Sequence, residues 1–316
     1  MPDKSPKRVI IRLIKYILIT LILYFIYKQI SSQWEQVQAY EWKINWLTFA
    51  ASIVILWIGL FIKSASLKLI LSSFNVELPI LRAFRIMYLS NLGRYVPGKV
   101  VQFIGIMYLA KQDGIKEDVA ITSFFLYQIF DTCAGIFVVF ISFFLLGLSY
   151  DNISQYLPVI IILGVLIVFT MIILMRPEYL AKVMNFVRVR FKRPLVEFKL
   201  QKSIGLKLLF IYFAVWIIFG VSFYLFIQAV TEAPSDYFIE SCFIYTASYL
   251  IGYWALFAPG GIGVREGVMG ALLYELGGFV ESVAYVVGLA SRLWFMIGEI
   301  TITVWALLVR SKKTHG

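Results

Sequence analysis

The chain has 316 residues, 61% of them hydrophobic and 15% charged, where soluble domains are roughly half apolar and about a quarter charged. Apolar runs recur along nearly the whole length, which excludes a soluble enzyme and confines any function to membrane-embedded residues and short loops. The net charge of +11 comes from 29 Lys and Arg against 18 Asp and Glu; because the cations sit in loops between apolar runs, it fits anionic lipid headgroups and topology control, not nucleic acid.

The single histidine, His315, lies next to the last residue, so mechanisms that need a buried imidazole, such as those of histidine phosphatases and zinc hydrolases, are excluded. Cys133 and Cys242 fall inside apolar segments without CxxC or CxxH spacing, and neither a disulfide nor a metal site is expected. No cofactor is implied.

In chain order, Lys4, Lys7, Arg8, Arg12 and Lys15 precede an apolar run from Tyr16 to Tyr27 that no small-x-small cleavage site follows. It reads as an uncleaved first span with a cytoplasmic N-terminus. Six segments are apolar enough to cross a hydrocarbon core: roughly 11 to 30, 46 to 66, 118 to 148, 156 to 175, 205 to 230 and 282 to 309. Trp34, Trp42 and Trp46 cluster where an interfacial belt is expected. Two further apolar stretches are interrupted. Leu81 to Ala110 is broken at Gly93-Arg94-Tyr95-Val96-Pro97-Gly98-Lys99, and Tyr237 to Leu276 at Pro259-Gly260-Gly261-Ile262-Gly263.

Cytoplasmic loops concentrate Lys and Arg. Between Arg176 and Lys207 stand nine cations against Glu178 and Glu197, which makes this basic linker the firmest cytoplasmic marker; the tail with Arg310, Lys312 and Lys313 is a second. Residues 179 to 193 also carry Leu180, Val183, Met184 and Val187 at helical spacing, which suits either a helix lying on the inner leaflet or a loop that only fixes topology. If both interrupted stretches are re-entrant hairpins, every marker falls on its proper side; if 237 to 258 spans fully and 264 to 276 does not, the basic tail moves outside.

The expectation is therefore an all-α polytopic membrane protein, a single integral membrane domain over 1 to 316, with six full spans and two re-entrant helical hairpins. Each half reads span, span, hairpin, span, with repeat 1 about 11 to 148 and repeat 2 about 156 to 309. Three crossings per half is odd, so the halves would form an inverted-topology repeat, and such folds hold substrate near the midplane where broken helices point their ends.

At the first tip, Asn91-Leu92-Gly93 reads as a helix end and Pro97 as the first turn of a new helix. Arg94 and Lys99 would reinforce an anion at the exposed N–H groups there, with Gly98 in the turn and Gln102 one turn on as a further donor. At the second tip Pro259, Gly260 and Gly261 stop one helix, and Gly263 precedes another opening with Val264-Arg265-Glu266. A lone Pro-Gly-Gly also fits a plain turn; two tips at matching places, each with a cation, favour a site.

These two motifs, Asn-Leu-Gly-Arg-Tyr-Val-Pro-Gly-Lys at 91 to 99 and Ala-Pro-Gly-Gly-Ile-Gly-Val-Arg-Glu-Gly at 258 to 267, together with Ser-Arg-Leu-Trp at 291 to 294, resemble the flippase-like family known as the lysylphosphatidylglycerol synthase transmembrane region. The resemblance covers essentially the whole chain. In multiple peptide resistance factor that region is followed by a soluble synthase domain, which these residues lack. The resemblance thus implies a lipid-translocating unit in the bacterial cytoplasmic membrane, not an aminoacyl-phosphatidylglycerol synthase, and relatives linked to glycolipid and surface-polysaccharide pathways widen the range of cargo.

Asp131 lies in the third span and Arg292 and Glu299 in the last. Embedded charges are costly and normally paired. Seven residues separate Arg292 from Glu299, about 10 Å of helical rise, so each is expected to pair elsewhere; Asp131 has Gln128 and Tyr127 nearby as neutral partners. Counting Arg94, Lys99, Arg265 and Arg292 against Asp131, Glu266 and Glu299 leaves one cation over, unless Glu240 also sits deep.

The leading expectation is a lipid flippase or scramblase that moves an anionic or zwitterionic headgroup, or a polyprenyl-phosphate-linked glycan, between leaflets. Substrate would be held by Arg94, Lys99 and Arg265 on a path lined by Asp131, Arg292 and Glu299, without catalysis. Two rivals stay open: a polyprenyl-phosphate-dependent membrane glycosyltransferase, for which the outer loops offer Glu35, Glu41, Asp151, Glu232 and Asp236 but no DxD motif, and a non-transporting membrane partner that recruits a lipid or polysaccharide synthase through the basic linker.

Overall fold

The computed structural model describes residues 42–95, 100–147, 201–231, 233, 235–255 and 258–309, with isolated positions between 161 and 189. The expected first span, most of the fourth and most of the basic linker lie outside the described residues. Among those described, every regular element is helical. Four helices are long and apolar enough to cross a membrane: α1 (Trp46–Ser72), α4 (Glu117–Gly147), α5 (Lys202–Val230) and α8 (Glu281–Leu308). They match four of the six spans read from sequence.

The two interrupted stretches form helix–break–helix units. The first runs through α2 (Ile80–Asn91), a 3₁₀ turn (Leu92–Tyr95) and α3 (Val100–Gln112); the second through α6 (Phe238–Trp254), a 3₁₀ turn (Pro259–Gly261) and α7 (Val264–Glu275). At 1.5 Å per residue, the limbs of 12 and 13 residues in the first unit reach roughly 20 Å and those of 17 and 12 in the second roughly 26 and 18 Å, all short of the ~30 Å hydrocarbon core. Within each unit the limbs pack against one another.

Glycine makes both folds possible, for different reasons. Gly93 was expected as a helix stop, but its demand is space: a Cβ there would lie 2.3 Å from the Gln102 backbone nitrogen across the unit. In the second unit the reason is conformational. Gly260, Gly261 and Gly263 have φ of 59°, 73° and 81°, a region costly for residues with a Cβ, and a Cβ on Gly261 would meet the Gly252 carbonyl oxygen at 2.6 Å.

The described elements repeat in order: long helix, broken unit, long helix, then the same again. Their packing repeats too. α2 rests on α8 as α6 rests on α4; α1 touches α2 as α5 touches α6; α1 touches α4 as α5 touches α8; and α4 meets α5 as α8 meets α1. The equivalent helices α1 and α5 pack directly on each other, and they run antiparallel. Asn45 N–H donates to the Ala229 carbonyl at 2.9 Å, Ser222 Oγ to the Ser52 carbonyl at 2.6 Å, and Ser66 Oγ to Tyr212 Oη at 2.7 Å. Serines and Gly59, which faces the Phe219 ring, let the backbones approach, as small residues do between membrane helices.

Candidate functional site

The 3₁₀ turns of the two broken units meet. Gly260 lies against the Tyr95 ring, and Arg292 from α8 reaches into the junction, its Nη1 donating to the Gly260 carbonyl at 3.1 Å. Around this meeting point gather Arg94, Arg265, Arg292, Glu266 and Glu299, all named from sequence.

Charge pairing orders them. Arg94 Nη2 stands 3.0 Å from Glu299 Oε1, and Tyr95 Oη donates to Glu299 Oε2 at 2.6 Å. Arg292 Nε lies 3.6 Å from Glu266 Oε1, an ion pair too long for a hydrogen bond, and its guanidinium lies over the Tyr95 ring. Arg292 and Glu299 thus pair elsewhere, as their spacing along one helix requires. Glu266 Oε2 accepts the Gly263 N–H at 2.7 Å, so this carboxylate fills the N-terminus of its own helix. That position was expected to receive a ligand anion; Glu266 takes it instead.

Arg265 has no carboxylate partner among the described residues. Its guanidinium carbon sits 5.2, 5.1 and 4.7 Å from the ring centres of Tyr245, Tyr249 and Phe295, and it is 3% exposed. Aromatic faces stabilise a cation but do not satisfy its N–H groups, and Arg265 Nε and Nη2 find no acceptor among the described residues. Arg94 Nε and Arg292 Nε are likewise unmatched by a hydrogen bond. The three arginines line one chamber with Tyr95, Tyr249, Tyr253, Gly252 and Gly260, which has about 20 Å³ of room, enough for roughly one water.

Asp131 faces a cation, not the neutral neighbours Gln128 or Tyr127. Lys63 Nζ of α1 lies 2.7 Å from Asp131 Oδ2, with the rings of Tyr127, Trp216, Phe219 and Tyr249 around it at 5.4 to 5.8 Å. Lys63 escaped the sequence reading because it stands near the end of its span, where lysines ordinarily snorkel to water; here it is 5% exposed. With Lys63 included, the described embedded charges are Lys63, Arg94, Arg265 and Arg292 against Asp131, Glu266 and Glu299, and the cation left over is Arg265. Glu240 does not cancel it: half-buried in the first turn of α6, it lies twelve residues, about 18 Å of helix, from Gly252, which abuts Arg265.

Gln102 is buried and its Nε2 donates to Asn91 Oδ1 at 2.8 Å, tying the limbs of the first unit together. Pro97, Gly98 and Lys99, also named from sequence, lie outside the described residues. Another concavity, about 770 Å³ between Ala65, Leu69, Leu206 and Phe210, is open and apolar but for Lys68, Ser72 and Lys207 and has none of the arginines in its lining; it reads as lipid-facing surface.

No curated protein and no solved structure matches the chain. The family model described as the lysylphosphatidylglycerol synthase TM region matches residues 12–298, a stretch that holds all three arginines and stops one residue before Glu299. The broken units, the buried arginines at their meeting point and this match over most of the sequence agree: the chain belongs to the lysylphosphatidylglycerol synthase transmembrane-region family.

Proposed function

We propose that the protein is a lipid flippase or scramblase that passes the phosphate-bearing headgroup of a phospholipid or lipid-linked glycan through the junction of its two broken units. The observation that carries this is Arg265: a guanidinium buried among aromatic rings, without a carboxylate among the described residues, in one chamber with Arg94 and Arg292. A buried cation lacking a counter-charge is expensive, and a phosphate supplies both the charge and the acceptors that the idle N–H groups need.

The antiparallel pairing of α1 with α5 and the duplicated packing support an inverted-topology repeat, because a two-fold axis that exchanges antiparallel neighbours must lie across the helices, in the plane of the membrane. The short limbs of the broken units support re-entrant hairpins that meet near mid-depth. The basic linker supports placement in the bacterial cytoplasmic membrane with both termini inside. Each buried carboxylate of the junction faces a cation within 3.6 Å, a setting for holding charge, which favours a transporter over a glycosyltransferase.

The test is exchange of fluorescent phospholipids and lipid-linked sugars between leaflets of proteoliposomes, read with a membrane-impermeant quencher. Arg265→Ala lowers protein-dependent exchange by about tenfold or more, as loss of charged hydrogen bonds to a phosphate predicts. Unchanged exchange by a variant that elutes and melts like the parent protein overturns the proposal.

A further inference from the structure

The arginine chamber has a neighbour of opposite hydrogen-bonding character. The two share Arg94, Tyr249 and Tyr253, and the second is lined also by Lys63, Asn91, Gln102 and Asp131. Where the first chamber has idle donors, the second has idle acceptors. Gln102 commits its amide nitrogen to Asn91, which leaves Oε1 as its free end, and Asp131 commits Oδ2 to Lys63. Gln102 Oε1 and Asp131 Oδ1 find no donor among the described residues, and both side chains belong to residues only 2% exposed.

A buried acceptor without a donor is costly, so what fills this chamber brings donors. Among phospholipid headgroups, ammonium and hydroxyl groups are the common donors. The charges lining the chamber leave no carboxylate for an ammonium: Asp131 pairs with Lys63 and Glu299 with Arg94, and Lys63 already occupies the cation position over the surrounding rings. A further cation would add to the surplus positive charge that Arg265 already brings to the described junction, in a medium of low dielectric. Hydroxyls add no charge, can donate to both acceptors, and leave C–H faces to pack on the Tyr249 and Tyr253 rings.

We infer that the headgroup this protein selects is a phosphodiester bearing a neutral polyhydroxyl group (glycerol, inositol or a sugar), with the phosphate among the arginines and the hydroxyls on Gln102 and Asp131. This rests on the reading of the arginine chamber as a phosphate site.

Equilibrium binding of short-chain lipids to the purified full chain in detergent tests it. The probes are phosphatidylinositol and phosphatidylglycerol, which carry hydroxyls; phosphatidylmethanol, a diester without a donor; and phosphatidylethanolamine, which carries ammonium. The two polyol lipids bind about tenfold more tightly than the other two, the worth of one or two recovered hydrogen bonds, and Gln102→Met brings that ratio toward one. Inositol phosphate and glycerol phosphate, which lack acyl chains, bind far more weakly than their lipids; equal binding would assign the chambers to a soluble ligand and overturn the lipid part of the inference. Phosphatidylethanolamine binding best, or all four lipids binding alike while Arg265→Ala weakens each of them, overturns the polyol inference and leaves the phosphate reading standing. If Arg265→Ala changes the binding of none, the phosphate reading fails and the inference falls with it.

Discussion

At Lys63 a mostly apolar helix carries a buried charge, and Asp131 makes that tolerable. Each group alone would cost about 2.5–3.5 kcal/mol at mid-membrane on insertion scales, whereas the pair meets at 2.7 Å inside a ring of aromatics. Removing one partner strands the other, at roughly 3–5 kcal/mol. Lys63→Met is therefore expected to lower the melting temperature in detergent markedly, while Lys63→Met combined with Asp131→Leu recovers most of the loss; a single variant as stable as the parent would show the pair to be idle. Arg265 differs in kind, since nothing described balances it, and its removal should spare stability more than transport. The sequence count of one surplus cation included Lys99, which lies outside the described residues, and missed Lys63, and it could not say which cation stays without a carboxylate. The pairings join residues as far apart as Tyr95 and Glu299, and only the fold decides which carboxylate each cation meets. Lys63 was missed for the same reason: a lysine near the end of a span is snorkelling or buried according to what packs beside it.

Among the elements, the broken units depend on backbones meeting more closely than side chains allow. Gly252 on α6 faces Arg265 on α7, and a Cβ added there would lie 2.6 Å from the Arg265 Cβ and 3.1 Å from its Cα. The obstacle is the root of a side chain in a packed limb, so it cannot swing aside. Gly252→Ala is expected to destabilise by about 1–3 kcal/mol, the usual cost of overpacking, and to displace Arg265 from its aromatic bed. Gly267→Ala is the control. It lies on the same helix α7 with nothing within 4 Å of an added Cβ, and should melt at or slightly above the parent temperature. Equal losses for both would mean that the limbs do not meet as described. The breaks were legible in the sequence, because Pro-Gly-Gly followed by a helix opening on Val-Arg-Glu is a local signal. The close approach that fixes Gly93 and Gly252 was not, since it involves a second limb that no local pattern names.

At the scale of the whole molecule, two halves of like order interlock, each broken unit resting on the last long helix of the other half. The chambers at their junction each have about 20 Å³ of room, about one water and far less than any lipid headgroup. On the proposed function, passage of a headgroup requires the units to separate, and Arg94–Glu299, Tyr95–Glu299 and Arg292–Gly260 are the contacts that close the junction. Those contacts tie turn residues of both units to α8, so opening on one side can leave the other closed, as alternating access demands. Thr132 on α4 and Trp254 on α6 touch across the halves, with Trp254 Nε1 donating to Thr132 Oγ1 at 3.2 Å, and Trp254 is accessible at 50%. Cysteines placed at these two positions, in a chain with the buried Cys133 and Cys242 replaced by alanine, can be joined by a short cleavable thiol reagent. Joining them is expected to slow lipid exchange by about tenfold or more, a barrier increase of roughly 1.4 kcal/mol at the least, and cleaving the linker to restore it. Exchange that runs at the same rate with the halves pinned would mean that the headgroup passes without parting α4 from α6, and that the junction opens by movement of the turns alone.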